Sequence, residues 1–238
     1  MARYFAGLDV STQSCKFVII DWDNYTLEYV GRVNYDEELP QYNTENGVVT
    51  GNELGVSESN PLMWIDAVEK VFEKTVDSGF PMKYIKSISV SGQQHGLVAL
   101  DSNGNLARTM AKLWNDYSTQ EECDLLTEKL GGNENMISET SNTQRTGYTA
   151  AKIYHMYRHE RDIYNNTHIL FLVHNYINWY LTGGVAVMEP GDTSGTALWN
   201  PATQNWSNDL ISIIDPDLAG KLPKVESSTK SIGTISKS

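Results

Sequence analysis

A mixed α/β fold, with a β-sheet flanked by helices, is what this sequence predicts, and three observations carry the prediction. Two apolar runs joined by a tight polar turn open the chain at residues 4–21. Strand-like alternation returns after a strongly periodic helical stretch, and further helical stretches follow it. Strands that come first and then alternate with helices argue against a bundle or a sandwich. At 238 residues, 40% hydrophobic and 10% aromatic, the chain can bury a real core.

Each element has its own signal. Residues 4–21 read as a hairpin with Asp9 at the end of the first strand, and residues 26–35 (TLEYVGRVNY) as a third strand. Residues 36–58 are polar, Gly- and Asn-rich and aperiodic, which predicts a loop. Asn60-Pro61 offers an N-cap followed by Pro at the first helical position. Trp64, Ile65, Val68, Val71 and Phe72 then keep helical spacing until Gly79. Ile88 and Val90 alternate with Ser87 and Ser89 in a half-buried strand at residues 85–91. A second strand at 97–100 ends in the turn Asp101-Ser-Asn-Gly. Helices are predicted at 117–130, at 149–160 with Ala150, Ile153, Tyr154 and Tyr157 on one side, and at 172–181 before Gly183-Gly184. Residues 227–238 are polar and strand-like around Ile232 and Ile235, and they end without a cap or closing element, as in a fragment.

Composition narrows the class of partner. A net charge of −12 would repel a nucleic-acid backbone or an anionic membrane over most of the surface, so neither is expected. Residues 21–60 hold nine acidic side chains against Arg32 alone, which reads as a solvated face. Cys15 and Cys123 lie far apart, on a strand and a helix by this reading. That suits reduced thiols in the cytoplasm, and no zinc site is expected. No apolar run approaches the roughly 20 residues of a membrane span, and no signal-like segment opens the chain.

Five segments carry hydrogen-bonding or charged groups in patterns worth weighing for chemistry. In the first hairpin the turn Ser11-Thr12-Gln13-Ser14 could converge backbone N–H groups and hydroxyls on an anion, with Asp9 placed to orient a metal's water shell. A plain surface hairpin would show the same residues. Gly92-Gln93-Gln94-His95-Gly96 lets the backbone approach a ligand, while Gln94 and His95 offer uncharged donors and acceptors suited to a polyol. A polar turn is the alternative, and no nucleophile with an evident partner accompanies His95 to make it a base. Leu113-Trp114-Asn115-Asp116 sets Trp114 either to pack or to face a sugar, with Asp116 read as an N-cap. Arg145, ahead of the Lys152 helix, could reach hydroxyls or a phosphate, or make a surface ion pair. Asp192, in Glu189-Pro-Gly-Asp192-Thr-Ser, is read as bonding its own backbone rather than as a general base.

Taken in order, five motifs resemble the amino-terminal domain of the FGGY carbohydrate kinases. They are Gly7-Leu-Asp9-Val-Ser-Thr-Gln-Ser with Lys16, Ser91-Gly-Gln-Gln-His-Gly96, Leu113-Trp-Asn-Asp116, Gly147-Tyr-Thr-Ala-Ala-Lys152 and Gly191-Asp-Thr-Ser-Gly-Thr196. The Gly-Gln-Gln-His-Gly form is similar to that of the xylulokinase subgroup. The resemblance implies an actin-like, ribonuclease-H-like architecture and transfer of the γ-phosphoryl of ATP, with Mg2+, to a sugar hydroxyl. It implies that residues 1–238 are a single sugar- and phosphate-binding domain, the nucleotide-binding domain lying outside this chain. By the same resemblance Asp9 would position metal and phosphates, and Ser11, Thr12, Gln13 and Ser14 would face the β- and γ-phosphates. Gln94 and His95 would bind a ketose, D-xylulose first, with Trp114 and Arg145 as neighbours. The expected partners are ketose and ATP, with a homodimer open to the intact protein.

Three departures accompany the resemblance. Ser11 stands where the family turn usually has Gly, and His155 where the helix signature commonly has Trp. The family's catalytic aspartate sits in a Gly-Asp-Asn segment, and none occurs between Gly191 and Ser238, so the proton acceptor is expected outside this chain and Asp192 is not promoted to that role. Another kinase of the family, acting on ribulose, gluconate or a polyol, remains open, as does a non-catalytic sugar sensor of the same fold.

Overall fold

The computed structural model describes residues 3–236; Met1, Ala2, Lys237 and Ser238 lie outside the described residues, including the end of the strand-like tail. The chain divides into two compact units. One comprises the chain up to Gly51 together with Ser59–Gln93, the other Asn52–Glu58 together with the chain from Gln94 onward.

The first unit is built on a four-stranded mixed sheet. Strands β1 (Tyr4–Val10), β2 (Ser14–Asp21) and β3 (Thr26–Asn34) run antiparallel in a meander. On its other edge β1 pairs in parallel with a strand at Ile85–Gly92, giving the order β3-β2-β1 and then that strand. Alternation along β1 buries Ala6, Leu8 and Val10, and the same period of two turns Asp9 to the opposite face. Helix α1 (Tyr35–Glu38) is short, and α2 (Pro61–Asp77) starts as its sequence dictates, with the Asn60 side chain accepting from the Leu62 N–H at 2.9 Å and Pro61 in its first turn. Its buried stripe includes Met63, Trp64, Val68 and Val71, each contributing about 1.5–3 kcal/mol by removal from water. Phe72 meets Phe17 of β2 edge-on at 5.0 Å.

The excursion after β3 is more ordered than its composition suggests. Besides α1 it forms a turn of 3-10 helix at Pro40–Tyr42 and a small hairpin of β4 (Thr44–Glu45) and β5 (Val48–Val49). Asp36 organises it, its carboxylate accepting from Thr44 Oγ1 at 2.7 Å, Asn46 N at 2.6 Å and Gly47 N at 3.0 Å. Side-chain to backbone bonds of this kind leave no hydrophobic period to read.

The second unit is mainly helical. With Ile85–Gly92 as β6, a short antiparallel pair joins β7 (Val98–Leu100) to β8 (Ile169–Phe171). Around it lie α3 (Gln120–Lys129), α4 (Asn133–Thr140), α5 (Thr149–His159), α6 (Arg161–Asn166), α7 (Val173–Thr182), α8 (Pro190–Ser194) and α9 (Asn208–Ile214). Leu126, Met136, Ile153, Met156, Leu170 and Leu210 form part of one buried core. Helix α7 ends on Gly183 in the left-handed conformation, as the Gly-Gly stop predicts.

Sequence reading and structure part in four places. Helix α3 starts three residues late, because Asp116 is not its cap: the buried carboxylate accepts from Ser118 N and Oγ and from Ser57 N, holding residues 116–118 in a turn. Helices α4, α6 and α9 are short and weakly periodic, and were not anticipated. The Glu189-Pro-Gly-Asp192 loop contains α8, capped by the Glu189 side chain. No strand forms around Ile232 or Ile235 among the described residues.

Candidate functional site

In the first unit, Asp9 and the turn from Ser11 to Ser14 form one constellation. The Ser11 N–H donates to the Ser14 carbonyl at 3.0 Å, closing the turn, and Ser11 Oγ donates to Asp9 Oδ2 at 2.5 Å. Tyr35 fixes the turn from below, its hydroxyl donating to Ser11 O at 3.0 Å and its N–H to Gln13 O at 3.1 Å. From the side, the backbone of Gly47 presses against Thr12: a Cβ there would stand 1.8 Å from the Thr12 carbonyl oxygen, and φ is +78°. Only glycine fits. Ser14 is buried, Ser11 and Thr12 are half-buried and Gln13 is exposed.

Gln93, which the sequence reading passed over in favour of Gln94, lies in the same unit. Its N–H donates to Val10 O at 2.9 Å, and its buried side-chain amide has no hydrogen-bond partner at either end among the described residues. Such a group is completed by water or by a ligand. The all-oxygen donor set of Asp9, Ser11 and Thr12 by itself fits a hard divalent cation and phosphate oxygens, the demands of magnesium with a nucleotide.

In the second unit the site is organised around His95. Its backbone is in the left-handed region at φ 61°, which non-glycine residues adopt where surroundings over-determine it. Lys152, on α5 and fully buried, supplies that determination: Nζ donates to His95 O at 2.7 Å and to Gly147 O at 2.5 Å. The imidazole packs against Tyr148 with centroids 4.7 Å apart, and against Gly195, where a Cβ would come 2.7 Å from His95 Cε1. Burial, joined by the positive charge of Lys152, pushes the imidazole down to about 4 despite upward pulls from the Gly195 backbone and Asp192. His95 is therefore neutral at physiological pH, one nitrogen donating and the other accepting. Burial likewise pulls the Lys152 amine down to about 7, with Lys112 adding to the shift and Asp116 and Cys123 opposing it.

Other groups complete this corner. Asp192 Oδ2 lies 2.5 Å from His174 Nε2 on buried α7. Burial raises the Asp192 carboxyl, but the His174 bond and charge outweigh it and hold the group below the usual carboxylate range. The backbone bonding expected of Asp192 falls instead to Glu189, which accepts from Gly191 N at 2.9 Å and from Asp192 N. Trp114 is 47% exposed, and its carbonyl lies against Gly147, where a Cβ would be 2.5 Å away. Through Gly147 and Lys152, Trp114 and His95 share one framework. Gln94 and Arg145 are exposed, Arg145 in the turn closed by Tyr148 N to Arg145 O at 2.9 Å. Lys152 and His174 were legible only as polar residues inside apolar helical stretches, the signal that could have marked them.

Comparisons with known proteins identify the family and the fold. The family model described as the FGGY family of carbohydrate kinases, N-terminal domain, matches residues 4–238. A xylulose kinase of Haemophilus influenzae is 32% identical over 238 residues, covering 97% of this chain and 45% of the relative. The chain thus spans about half the length of such relatives. Among solved structures, a xyloylose kinase from Brucella ovis superposes with a TM-score of 0.84 at 24% identity, over 98% of this chain and 45% of that one. A gluconate kinase from Lactobacillus acidophilus gives 0.84 at 22%, over 100% and 44%. The fold is the actin-like one expected, with its mixed sheet flanked by helices. With five motifs in family order and a family match along nearly its whole length, the chain belongs to the FGGY family of carbohydrate kinases, as their N-terminal domain.

Proposed function

We propose that this chain is the sugar-binding and phosphate-facing part of an ATP-dependent xylulokinase, which in the intact protein converts D-xylulose to D-xylulose 5-phosphate. The observation that carries this reading is the neutral His95, held in a left-handed backbone by buried Lys152 and backed by Gly195. An uncharged imidazole beside an exposed indole suits vicinal hydroxyls and sugar C–H faces. His95 and Gln94 bind the ketose, Trp114 flanks it, and the His174–Asp192 pair fixes the loop bearing Gly195.

Asp9, Ser11, Thr12, Gln13 and Ser14 would hold MgATP through carboxylate, hydroxyl and backbone groups. The bound nucleotide supplies the transferable phosphoryl, and its magnesium neutralises charge. What these residues do themselves is position: Ser11 orients the Asp9 carboxylate, and Gly47 and Tyr35 keep the turn from relaxing. The proton acceptor and the adenine site are assigned to the portion of the relatives' length that this chain does not span. The two buried free thiols suit a reducing cytoplasm.

The test is an ADP-release assay of the intact protein and of the 238-residue chain with D-xylulose. Turnover is expected from the first and none from the second; robust turnover by the chain alone would refute the placement of the proton acceptor. A second reading, an aldonate such as gluconate, draws on exposed Arg145, whose guanidinium could take a carboxylate in a bidentate pair. A thermal-shift series of pentuloses, polyols and aldonates separates the two.

A further inference from the structure

Helices α3 and α5 bring together three side chains that the sugar and phosphate sites do not use. His155 and His159 are one helical turn apart on α5, with ring centroids 4.7 Å apart. Glu122, on α3 and 1% exposed, faces both: Oε2 lies 3.5 Å from His155 Nδ1, and Oε1 lies 3.0 Å from His159 Nε2. One ligand atom from each of the three lies within 4.8 Å of the other two.

We propose that Glu122, His155 and His159 form a binding site for a borderline divalent transition-metal ion of the zinc class, clasping α3 to α5.

Geometry, donor chemistry and an unused lone pair support the assignment. A tetrahedral ion with ligands at ~2.0–2.1 Å needs donor atoms about 3.4 Å apart. The His155 Nδ1 to Glu122 Oε2 spacing of 3.5 Å matches that edge, and one ligand atom from each residue already lies within 4.8 Å of the others, so small side-chain rotations close the set. Two imidazoles with one carboxylate form a nitrogen-rich set that suits zinc and its neighbours and does not suit magnesium. His155 Nδ1 is buried and makes no hydrogen bond among the described residues, although a carboxylate oxygen lies 3.5 Å away. An ion between them would use the lone pair that the present contact wastes. His159 is exposed enough to leave an entry path and a fourth position for water. The expectation against zinc rested on two distant cysteines, and this set needs neither.

Arg158 is the counterweight. Its guanidinium bonds Glu122 Oε1 at 2.6 Å and Glu121 Oε1 at 2.6 Å, so the ion must draw on Oε2 or displace the arginine. The clasp also reaches the sugar site by construction. Lys152, which fixes the His95 carbonyl, sits on α5 one turn before His155, so an ion at this position braces the helix that positions the ketose corner.

The test is titration of the chelator-treated full chain with Co2+, followed by Zn2+ or Mg2+. The expected result is visible absorption typical of four-coordinate cobalt, bleached by Zn2+ and untouched by Mg2+. His159→Ala, at an exposed position, should weaken binding roughly tenfold or more, as should His155→Ala, with circular dichroism checking that both are folded. Arg158→Gln should tighten it roughly tenfold by freeing Oε1. Absence of the cobalt band, or binding unaltered in His159→Ala, overturns the proposal.

Discussion

Replacing Lys152 by methionine separates the two energies that a buried amine carries. The side chain is fully buried, with Nζ donating to the carbonyls of His95 and Gly147 at 2.7 and 2.5 Å. Leaving two buried carbonyls unpartnered costs about 1–3 kcal/mol each. Against this stands the cost of keeping an amine whose folded value is about 7 where the unfolded chain has 10.5. Between those values the unfolded state binds more protons, so stability rises with pH across that window. At pH 7 the burial cost is about 4 kcal/mol, and by pH 9 it has fallen by about 2 kcal/mol. Lys152→Met should therefore lie within about 2 kcal/mol of the parent at pH 7. It should fall behind by about 2 kcal/mol more at pH 9, where only the parent has gained. Urea unfolding of both proteins at pH 7, 8 and 9, followed by tryptophan fluorescence, measures the difference; titrations of Cys15, Cys123 and the tyrosines are common to both and cancel. Parallel pH profiles would refute the reasoning, because Lys152 would then have no depressed proton affinity to lose.

Three further outcomes are expected. Gly195→Ala in the intact protein places a Cβ against the His95 ring, and should raise the sugar KM roughly tenfold with little change in melting temperature; an unchanged KM would remove Gly195 from the ketose corner. Asp9→Asn should lower turnover by about 100-fold or more while calorimetric sugar affinity changes little, and retained turnover would remove the metal-positioning role proposed for Asp9. His95 stays neutral when folded down to about 4 but titrates near 6.5 when unfolded, so acidification across that window favours unfolding by about 2 kcal/mol after discounting for partial exposure. His95→Gln should flatten that part of the acid stability profile, and an unchanged slope would contradict the burial argument.

Much of the first unit was legible because its signals are local and strong. Two apolar runs around a polar turn gave the opening hairpin with Asp9 at the end of its first strand, and Asn60-Pro61 set the start of α2 to the residue. What escaped was decided by side chains bonding distant backbone. Asp116 looked like a cap from its neighbours alone, and only Ser57, 59 residues away, shows why it is buried. Asp192 was read through its own turn formers, yet its partner is His174 on another helix, while Glu189 makes the backbone bonds. The motifs singled out Gly92–Gly96 as a segment, but the anchoring of His95 by Lys152 depends on a contact across 57 residues. The apolar face of α5 named from the sequence, Ala150, Ile153, Tyr154 and Tyr157, lies away from Lys152, so its burial shows only in the fold.

The acidic excursion after β3 behaves as a splint. Its carboxylate at Asp36 grips the hairpin, the hairpin delivers Gly47, and Gly47 leans on Thr12 so closely that no methyl could intervene. A stretch that composition presents as expendable surface is thus a brace for the opening turn. Pruning it to shorten the protein would unbrace the bend proposed to face the phosphates, and even an insertion at the hairpin tip between Asn46 and Gly47 would pull apart the two N–H groups that Asp36 holds.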